Sequence, residues 1–258
     1  MKDLIVATNP KSSFAEAIKL IKTNIIFSSI GTGNAFKTIL MTSPESGDGK
    51  SFLIANLASA FAQEGKKVLI IDADLRKGRQ HKIFGLEKEN EFGYSNLILT
   101  AARNQNLAIH GLDSQIFSYI KETAVKGVSL LPAGPTPPNP LELLSSDTNR
   151  EILEHIKKYF DVIFYDCPPS LGLSDALVMS KYSDVNIVTI SNAKTRIDQL
   201  ENVKKNFERV NSKITGVVIN KAKVKASSYS NYYTDNKYYT DNNFTTTETK
   251  EEKVAEEK

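Results

Sequence analysis

Nine consecutive residues, Ser43-Pro44-Glu45-Ser46-Gly47-Asp48-Gly49-Lys50-Ser51, have the types needed to hold a chain of phosphates. Gly47 and Gly49 permit backbone angles that a Cβ opposes, and they let phosphate oxygens approach the main chain closely. Lys50 supplies a point charge for β- and γ-phosphates, and the Ser51 hydroxyl is of the kind that ligates Mg²⁺. The strict spacing G-x-x-x-x-G-K-[ST] wants glycine at position 44, where this chain has Pro44. Three carboxylates extend the chemistry. Asp72 and Asp74 stand two residues apart and are followed by Arg76, and Asp166 closes a later apolar run. Nearby carboxylates repel unless a cation or a proton sits between them. Beside a nucleotide, Mg²⁺ is the natural occupant.

These side chains need elements to position them. Residues 38–42 read as a short buried strand, and the run from Lys50 through Phe52 and beyond reads as a helix. A strand, a glycine turn and a helix N-terminus form an anion site, because free N–H groups and the helix dipole both favour negative charge. Strands are expected at 68–71, 128–131, 162–165, 185–190 and 214–220, and helices at 14–28, 92–102, 141–144, 148–160, 174–180 and 195–210. This alternation predicts a doubly wound, mostly parallel α/β sheet with helices on both faces. Ligands of such sheets gather beyond the carboxyl ends of the strands, which places Asp72, Asp74 and Asp166 on the edge of the glycine turn. Asn220 ends the last strand and either hydrogen-bonds an adenine edge or closes a turn. Residues 133–140, with four prolines, are either a connector or a rigid wall beside the site. Residues 1–12 read as an irregular lead-in, and 104–126 as variable surface structure. In the helix at 14–28, Phe14, Ile18, Ile21, Ile25 and Ile26 form an apolar stripe. Glu16, Lys19 and Lys22, three residues apart, drift round one polar side.

Composition narrows the classes. The chain has 258 residues, is 40% hydrophobic and carries a net charge of +3. No stretch approaches the roughly 20 apolar residues of a membrane span. Residues 1–30 lack the pattern of a secretory signal, so a cytoplasmic location is expected. A single cysteine, Cys167, excludes a disulfide framework and any paired-cysteine metal site. Residues 226–258 hold four lysines against seven acids, a net of −3, which leaves the body mildly basic. That balance is too dispersed to argue for nucleic acid. The chain therefore divides into a folded domain over 1–225 and a tail over 226–258 with the composition of a disordered segment. The tail nonetheless holds half of the ten tyrosines: Tyr229, Tyr232, Tyr233, Tyr238 and Tyr239.

The combination resembles the bacterial protein-tyrosine kinases of capsular and exopolysaccharide synthesis. Residues 43–51, Ile70-Ile71-Asp72-Ala73-Asp74-Leu75-Arg76 and Val162-Ile163-Phe164-Tyr165-Asp166 are similar to that family's Walker A, A′ and B motifs, and a tyrosine cluster follows. The helix segment Glu16-Ala17-Ile18-Lys19-Leu20-Ile21-Lys22 is similar to its oligomerisation motif, Glu-x-x-Arg-x-x-Arg. The resemblance implies ATP and Mg²⁺ as cofactors. It implies a nucleotide site of Ser46, Gly47, Asp48, Gly49, Lys50, Ser51, Phe52, Arg76 and Asn220, with Ser51, Asp72 and Asp166 around the metal. Lys50, Asp72, Asp74 and Asp166 carry catalysis in that reading. Asp74 is the better candidate to orient or deprotonate a tyrosine, although Asp72 and Asp74 can exchange roles. Autophosphorylation of the five tail tyrosines by a neighbouring copy in a homo-oligomeric ring is implied. So are a transmembrane adaptor as membrane link and activator, and a cognate tyrosine phosphatase. Two departures stand out. Ser46 replaces the proline usual in the family, and Lys19 and Lys22 replace arginines, which keeps the charge but loses the bidentate fork. No H-R-D or D-F-G occurs in the chain, so the eukaryotic kinase pattern is absent.

Two rivals share the phosphate loop. A partition- or septum-placing ATPase usually carries an extra lysine near the start of the loop, where this chain has Glu45. A non-catalytic, nucleotide-gated scaffold is the other, and an intact Lys50 with three aspartates argues against it.

Overall fold

The central strands of this chain are apolar along their whole length rather than alternating, which is the pattern of a sheet covered on both faces. The computed structural model describes residues 3–30, 36–103 and 109–222. In chain order the helices are α1 (Ile5–Thr8), α2 (Ser13–Ile30), α3 (Lys50–Ala62), α4 (Gln80–Ile83), α5 (Tyr94–Arg103), α6 (Ile109–Tyr119), α7 (Pro140–Ser145), α8 (Asp147–Ile156), α9 (Asp175–Met179) and α10 (Ile197–Arg209). The strands are β1 (Thr38–Thr42), β2 (Val68–Asp72), β3 (Lys121–Glu122), β4 (Val128–Leu131), β5 (Val162–Asp166), β6 (Val185–Ser191) and β7 (Gly216–Asn220). They form one sheet in the order β3-β4-β2-β5-β1-β6-β7. Every described pairing is parallel except β3 with β4.

Side chains alternate faces along each strand, and two apolar layers result. Ile39, Met41, Val68, Ile70, Val162 and Phe164 face α1, α2 and α3. Leu40, Leu69, Ile71, Ile163 and Tyr165 face α5, α8, α9 and α10. Phe61 of α3 meets Phe164 edge-on at 5.9 Å between ring centroids. β1, β2 and β5 are buried at all positions, so their carboxyl ends are held rigidly side by side. In register, Asp72 lies beside Asp166, and Met41 lies beside Asp166 on the other side.

Several expectations change. The lead-in contains the short helix α1, whose Val6 N–H donates to Asn56 Oδ1 of α3 at 3.0 Å. The region expected to be variable surface contributes α6 and the edge strand β3. The proline-rich stretch packs against the start of α5 rather than the phosphate turn. Ser95 Oγ donates to Pro135 O at 2.7 Å, and Gly134 N–H donates to Asn90 Oδ1 at 3.1 Å. Lys22 is the clearest correction. It leaves the polar side of α2, is only 6% exposed, pairs with Glu64 and lies 5.9 Å over the Phe61 ring. A long aliphatic stem reaches core surface while its ammonium finds a carboxylate at the rim. Lys19 stays outside and pairs with Glu16 at 2.6 Å. The tail tyrosines, and the boundary expected at 225, lie outside the described residues.

Candidate active site

α3 starts without a side-chain cap. Its N-cap residue is Gly49 at φ 90°, and its first turn carries no acidic residue. The first N–H groups of the helix are therefore left for a ligand. Gly47 also has a positive φ, 87°, so both loop glycines occupy backbone angles that a Cβ opposes. Gly49 carries a second constraint, since a Cβ there would lie 2.1 Å from Asn220 Nδ2. Pro44, where the strict pattern has glycine, accepts at its carbonyl from Leu171 N–H at 3.4 Å, and Ser43 O accepts from Ser170 N–H at 2.9 Å. These bonds tie the loop entrance to the segment after β5. Ser46 stands exposed at the loop apex, and among the described residues nothing holds its side chain.

Lys50 lies at the centre. Its Nζ is 3.4 Å from Asp166 Oδ1 and 3.9 Å from Asp74 Oδ2. Burial opposes its charge, but the Asp166, Asp74 and Asp72 carboxylates outweigh burial and raise its pKa. Asp72 is fully buried, and burial first, then the adjacent Asp166 charge, push its carboxyl well above the usual range. Asp72 Oδ2 accepts from Gln80 N–H at 2.9 Å, while Asp72 Oδ1 has no hydrogen-bond donor and Asp166 Oδ1 meets only the Lys50 ammonium, at 3.4 Å. Such oxygens are costly to leave unmatched inside a protein, and a cation arriving beside them would relieve the cost. They fit a magnesium ion held by the Ser51 hydroxyl, one carboxylate, water and the nucleotide's own oxygens. No group of three acidic, histidine or cysteine side chains among the described residues forms a metal cage by itself.

The two acids of β2's end separate clearly. Asp74 lines the open cleft, whereas Asp72 and Asp166 lie behind it. Asp74 Oδ1 accepts from Arg76 N–H at 3.3 Å and Lys77 N–H at 2.9 Å, so the carboxylate is fixed with Oδ2 toward Lys50. The cleft holds about 1050 Å³ and is lined by residues 43–52, Asp74, Arg76, Arg79, Lys82, Pro168, Leu171 and others. Arg76 reaches Asp175 with two bonds, Nε to Oδ2 at 2.8 Å and Nη2 to Oδ1 at 3.2 Å. Phe52 lines the cleft and stacks at a tilt on Phe14, 5.2 Å between centroids.

Asn220 serves the loop itself. Its Nδ2 donates to Asp48 O at 2.8 Å, and the next residue, Lys221, donates from Nζ to Gly47 O at 2.6 Å. The carboxamide is thus spent on main chain rather than presented to a base. Sequence reasoning also missed Gln80. Its Nε2 bridges Asp166 Oδ2 at 2.8 Å and Ser51 O at 3.1 Å, while its own N–H holds Asp72. Only Gly78 hinted at this crowding, because a Cβ there would stand 2.8 Å from Asp72 Oδ2. Glu45, noted only as a departure from other loops, accepts from Gln199 Nε2 of α10 at 2.6 Å and faces Lys194 at 3.6 Å.

Residues 36–220 match the model of the AAA domain family. The tyrosine-protein kinase YwqD of Bacillus subtilis (strain 168) is 35% identical over 232 residues, covering 90% of this chain and 91% of that protein. The chain belongs to the bacterial tyrosine-protein kinases. The putative tyrosine-protein kinase CapB of Staphylococcus aureus is 38% identical over 231 residues, covering 89% of this kinase and 94% of that protein. The crystal structure of the chimerical protein CapA2B2 superposes on the kinase with a TM-score of 0.76 at 32% identity, covering 87% and 92% of the two chains. Kinase membership decides against the septum-placing ATPase as the reading of the loop. Among the described residues, no helix of the kinase is long and apolar enough to cross a membrane.

Proposed function

We propose that this kinase transfers the γ-phosphoryl group of MgATP to the tail tyrosines Tyr229, Tyr232, Tyr233, Tyr238 and Tyr239 of a neighbouring copy. Capsule or exopolysaccharide polymerisation and export would be regulated through that tail. The observation that carries the reading is Lys50 Nζ set between Asp166 and Asp74 above the uncapped start of α3. The amides of residues 47–51 bind the phosphates, and Lys50 gathers charge on the β- and γ-oxygens. Ser51 and Asp72 would hold a magnesium ion, with Asp166 holding its water shell, and the ion would supply charge neutralisation at the phosphate oxygens. Asp74 accepts the proton of the incoming tyrosine hydroxyl. As the new bond forms between the tyrosine oxygen and Pγ, the bond from Pγ to the β,γ-bridging oxygen breaks and ADP leaves. Positioning and charge neutralisation supply most of the acceleration in such reactions.

The remaining partners follow from the same reading. A transmembrane adaptor would bring the kinase to the membrane and activate it. A cognate phosphatase would reset the tail. Each phosphorylation adds about −1.5 to −2 charges to a segment already acidic, so a phosphorylated homo-oligomeric ring is weakened by repulsion between tails. The ring contact would use the outer side of α2, where Glu16 and Lys19 stand, with Lys22 supporting the helix from within.

The test is purified protein with MgATP and the adaptor's cytoplasmic segment, followed by mass spectrometry of tail tyrosines. Phosphate is expected on the tail. A Lys50→Met chain mixed with an active chain lacking the tail is expected to be labelled on its own tail. No label there would overturn transfer between copies.

A further inference from the structure

The cleft carries more positive charge than the nucleotide chemistry uses. Lys50 is held by Asp166 and Asp74, and Arg76 is held by Asp175. Three other cations, Lys77, Arg79 and Lys82, also line the cleft. They are exposed, and among the described residues none has an ion-pair partner. They fall within six residues of one another, on the approach to α4 and on α4 itself. Of the carboxylates that line the same cleft, Asp74 faces Lys50, while Glu45 and Asp48 face Lys194. Only Asp3 is left against these three charges. The Asp74 carboxylate, where an acceptor hydroxyl would arrive, is three residues before the start of this basic run and accepts from Lys77 N–H.

The tail contains a matching pattern. Tyr232-Tyr233-Thr234-Asp235-Asn236 recurs six positions later as Tyr238-Tyr239-Thr240-Asp241-Asn242. In each copy an aspartate stands two residues after the second tyrosine. In an extended chain, side chains at i and i+2 share one face, roughly 7 Å apart along the backbone. A subsite that binds the acceptor in an extended form would therefore meet Asp235 together with Tyr233, and Asp241 together with Tyr239. Tyr229 has the neutral Asn231 in that position, and Tyr232 and Tyr238 have threonine.

We propose that Lys77, Arg79 and Lys82 form an acceptor subsite that reads an acidic residue two positions after the target tyrosine. This rests on the tail-phosphorylation reading above and adds a substrate rule to it. Tyr233 and Tyr239 are the first sites filled, and Tyr229 follows slowly. The charges are solvent-exposed, so the preference is modest, about 3- to 10-fold in rate at low salt, and it shrinks as ionic strength rises.

The experiment uses full-length Lys50→Met chains as acceptors, wild-type chain as enzyme, and site-resolved initial rates by mass spectrometry. Asp235→Asn in the acceptor should slow Tyr233 without changing Tyr239, and Asp241→Asn should do the reverse. Asp235→Glu should restore most of the rate. An Arg79→Ala, Lys82→Ala enzyme should lose the discrimination on peptides of residues 229–237 carrying Asp or Asn at 235. Its KM for peptide should rise while its KM for ATP stays. Equal rates for Asp and Asn acceptors overturn the subsite and leave tail phosphorylation standing. A rise in KM for ATP in place of peptide assigns the three cations to the nucleotide and also overturns it. Phosphate on no tail tyrosine at all overturns both readings together.

Discussion

Aspartates stand at both edges of this sheet, and the two edges treat them differently. At the amino edge, Asp184 precedes β6 and accepts three bonds: Lys37 N–H at 2.9 Å, Thr38 N–H at 2.8 Å and Thr38 Oγ1–H at 2.8 Å. Asp161 precedes β5 in the same way and accepts from Lys67 N–H at 2.8 Å. These carboxylates staple strand starts together. At the carboxyl edge, Asp72 and Asp166 lie side by side; Asp72 Oδ1 meets no donor, and Asp166 Oδ1 faces only the Lys50 ammonium at 3.4 Å. One edge has spent its lone pairs on the fold, and the other holds them in reserve. Position at a strand end therefore does not mark a functional carboxylate; unspent acceptor capacity does.

The comparison breaks or sharpens under substitution. Lys50→Met should have the largest effect, a loss of phosphotransfer of about 100-fold or more, as for other groups that meet developing charge. Its fold should persist by circular dichroism. Asp72→Asn should also remove activity by about 100-fold. Yet it should raise the thermal midpoint of the nucleotide-free protein by about 2–4 °C, because a buried like-charge contact is relieved. A lower midpoint would mean that Asp72 is a staple like Asp184, and the contrast between the edges would fail. Asp184→Ala should do the opposite. It should cost about 1–3 kcal/mol of stability by leaving donors unmet, with kcat within about twofold.

Asp184 also gives a pH signature. Burial pushes its carboxyl up, but the bonds from Lys37 and Thr38 outweigh burial and leave its pKa below the usual value of 3.8. The folded state therefore favours the charged form. The stabilisation is complete above the unfolded pKa and is lost as pH falls through the folded one. The stability gap between wild type and Asp184→Ala, followed by urea denaturation, should hold from pH 5 to 8 and narrow below pH 3.8. A gap independent of pH would refute the assignment. Lys221→Met should have the smallest effect, a roughly two- to fivefold rise in KM for ATP from a looser loop, with Lys221→Arg restoring it.

The parts of the fold read most sharply from sequence are those whose burial is continuous, although the half-exposed β7 and the amphipathic α8 and α10 were expected too. β1, β2 and β5 stand out because every position is apolar or ends in a chemical side chain. The loop and its three aspartates were legible for the same reason, since each follows such a strand. α6 and β3 were not, because their local pattern is weak and their place depends on packing against α5, α8 and β4. Lys22 looked like a surface charge because its partners, Phe61 and Glu64, lie about forty residues away on and just after α3. Gln80 was invisible because glutamine carries no signature, and only the fold carries its amide to Asp166. Asn220 was placed at the right edge with its roles left open, and it is the loop carbonyl of Asp48 that takes its amide.

The clasp from Asn220 and Lys221 spans 172 and 174 positions back to Asp48 and Gly47. Synthesis runs from the amino end, so the ribosome delivers the loop long before the residues that hold it. A nascent chain can pair β1 with β5 and then β6 while residues 43–51 still lack their last two donors. The nucleotide site is thus among the last parts of the domain to mature. A ribosome stalled short of residue 220 would display most of the sheet with an unclasped loop, a natural delay between folding and competence.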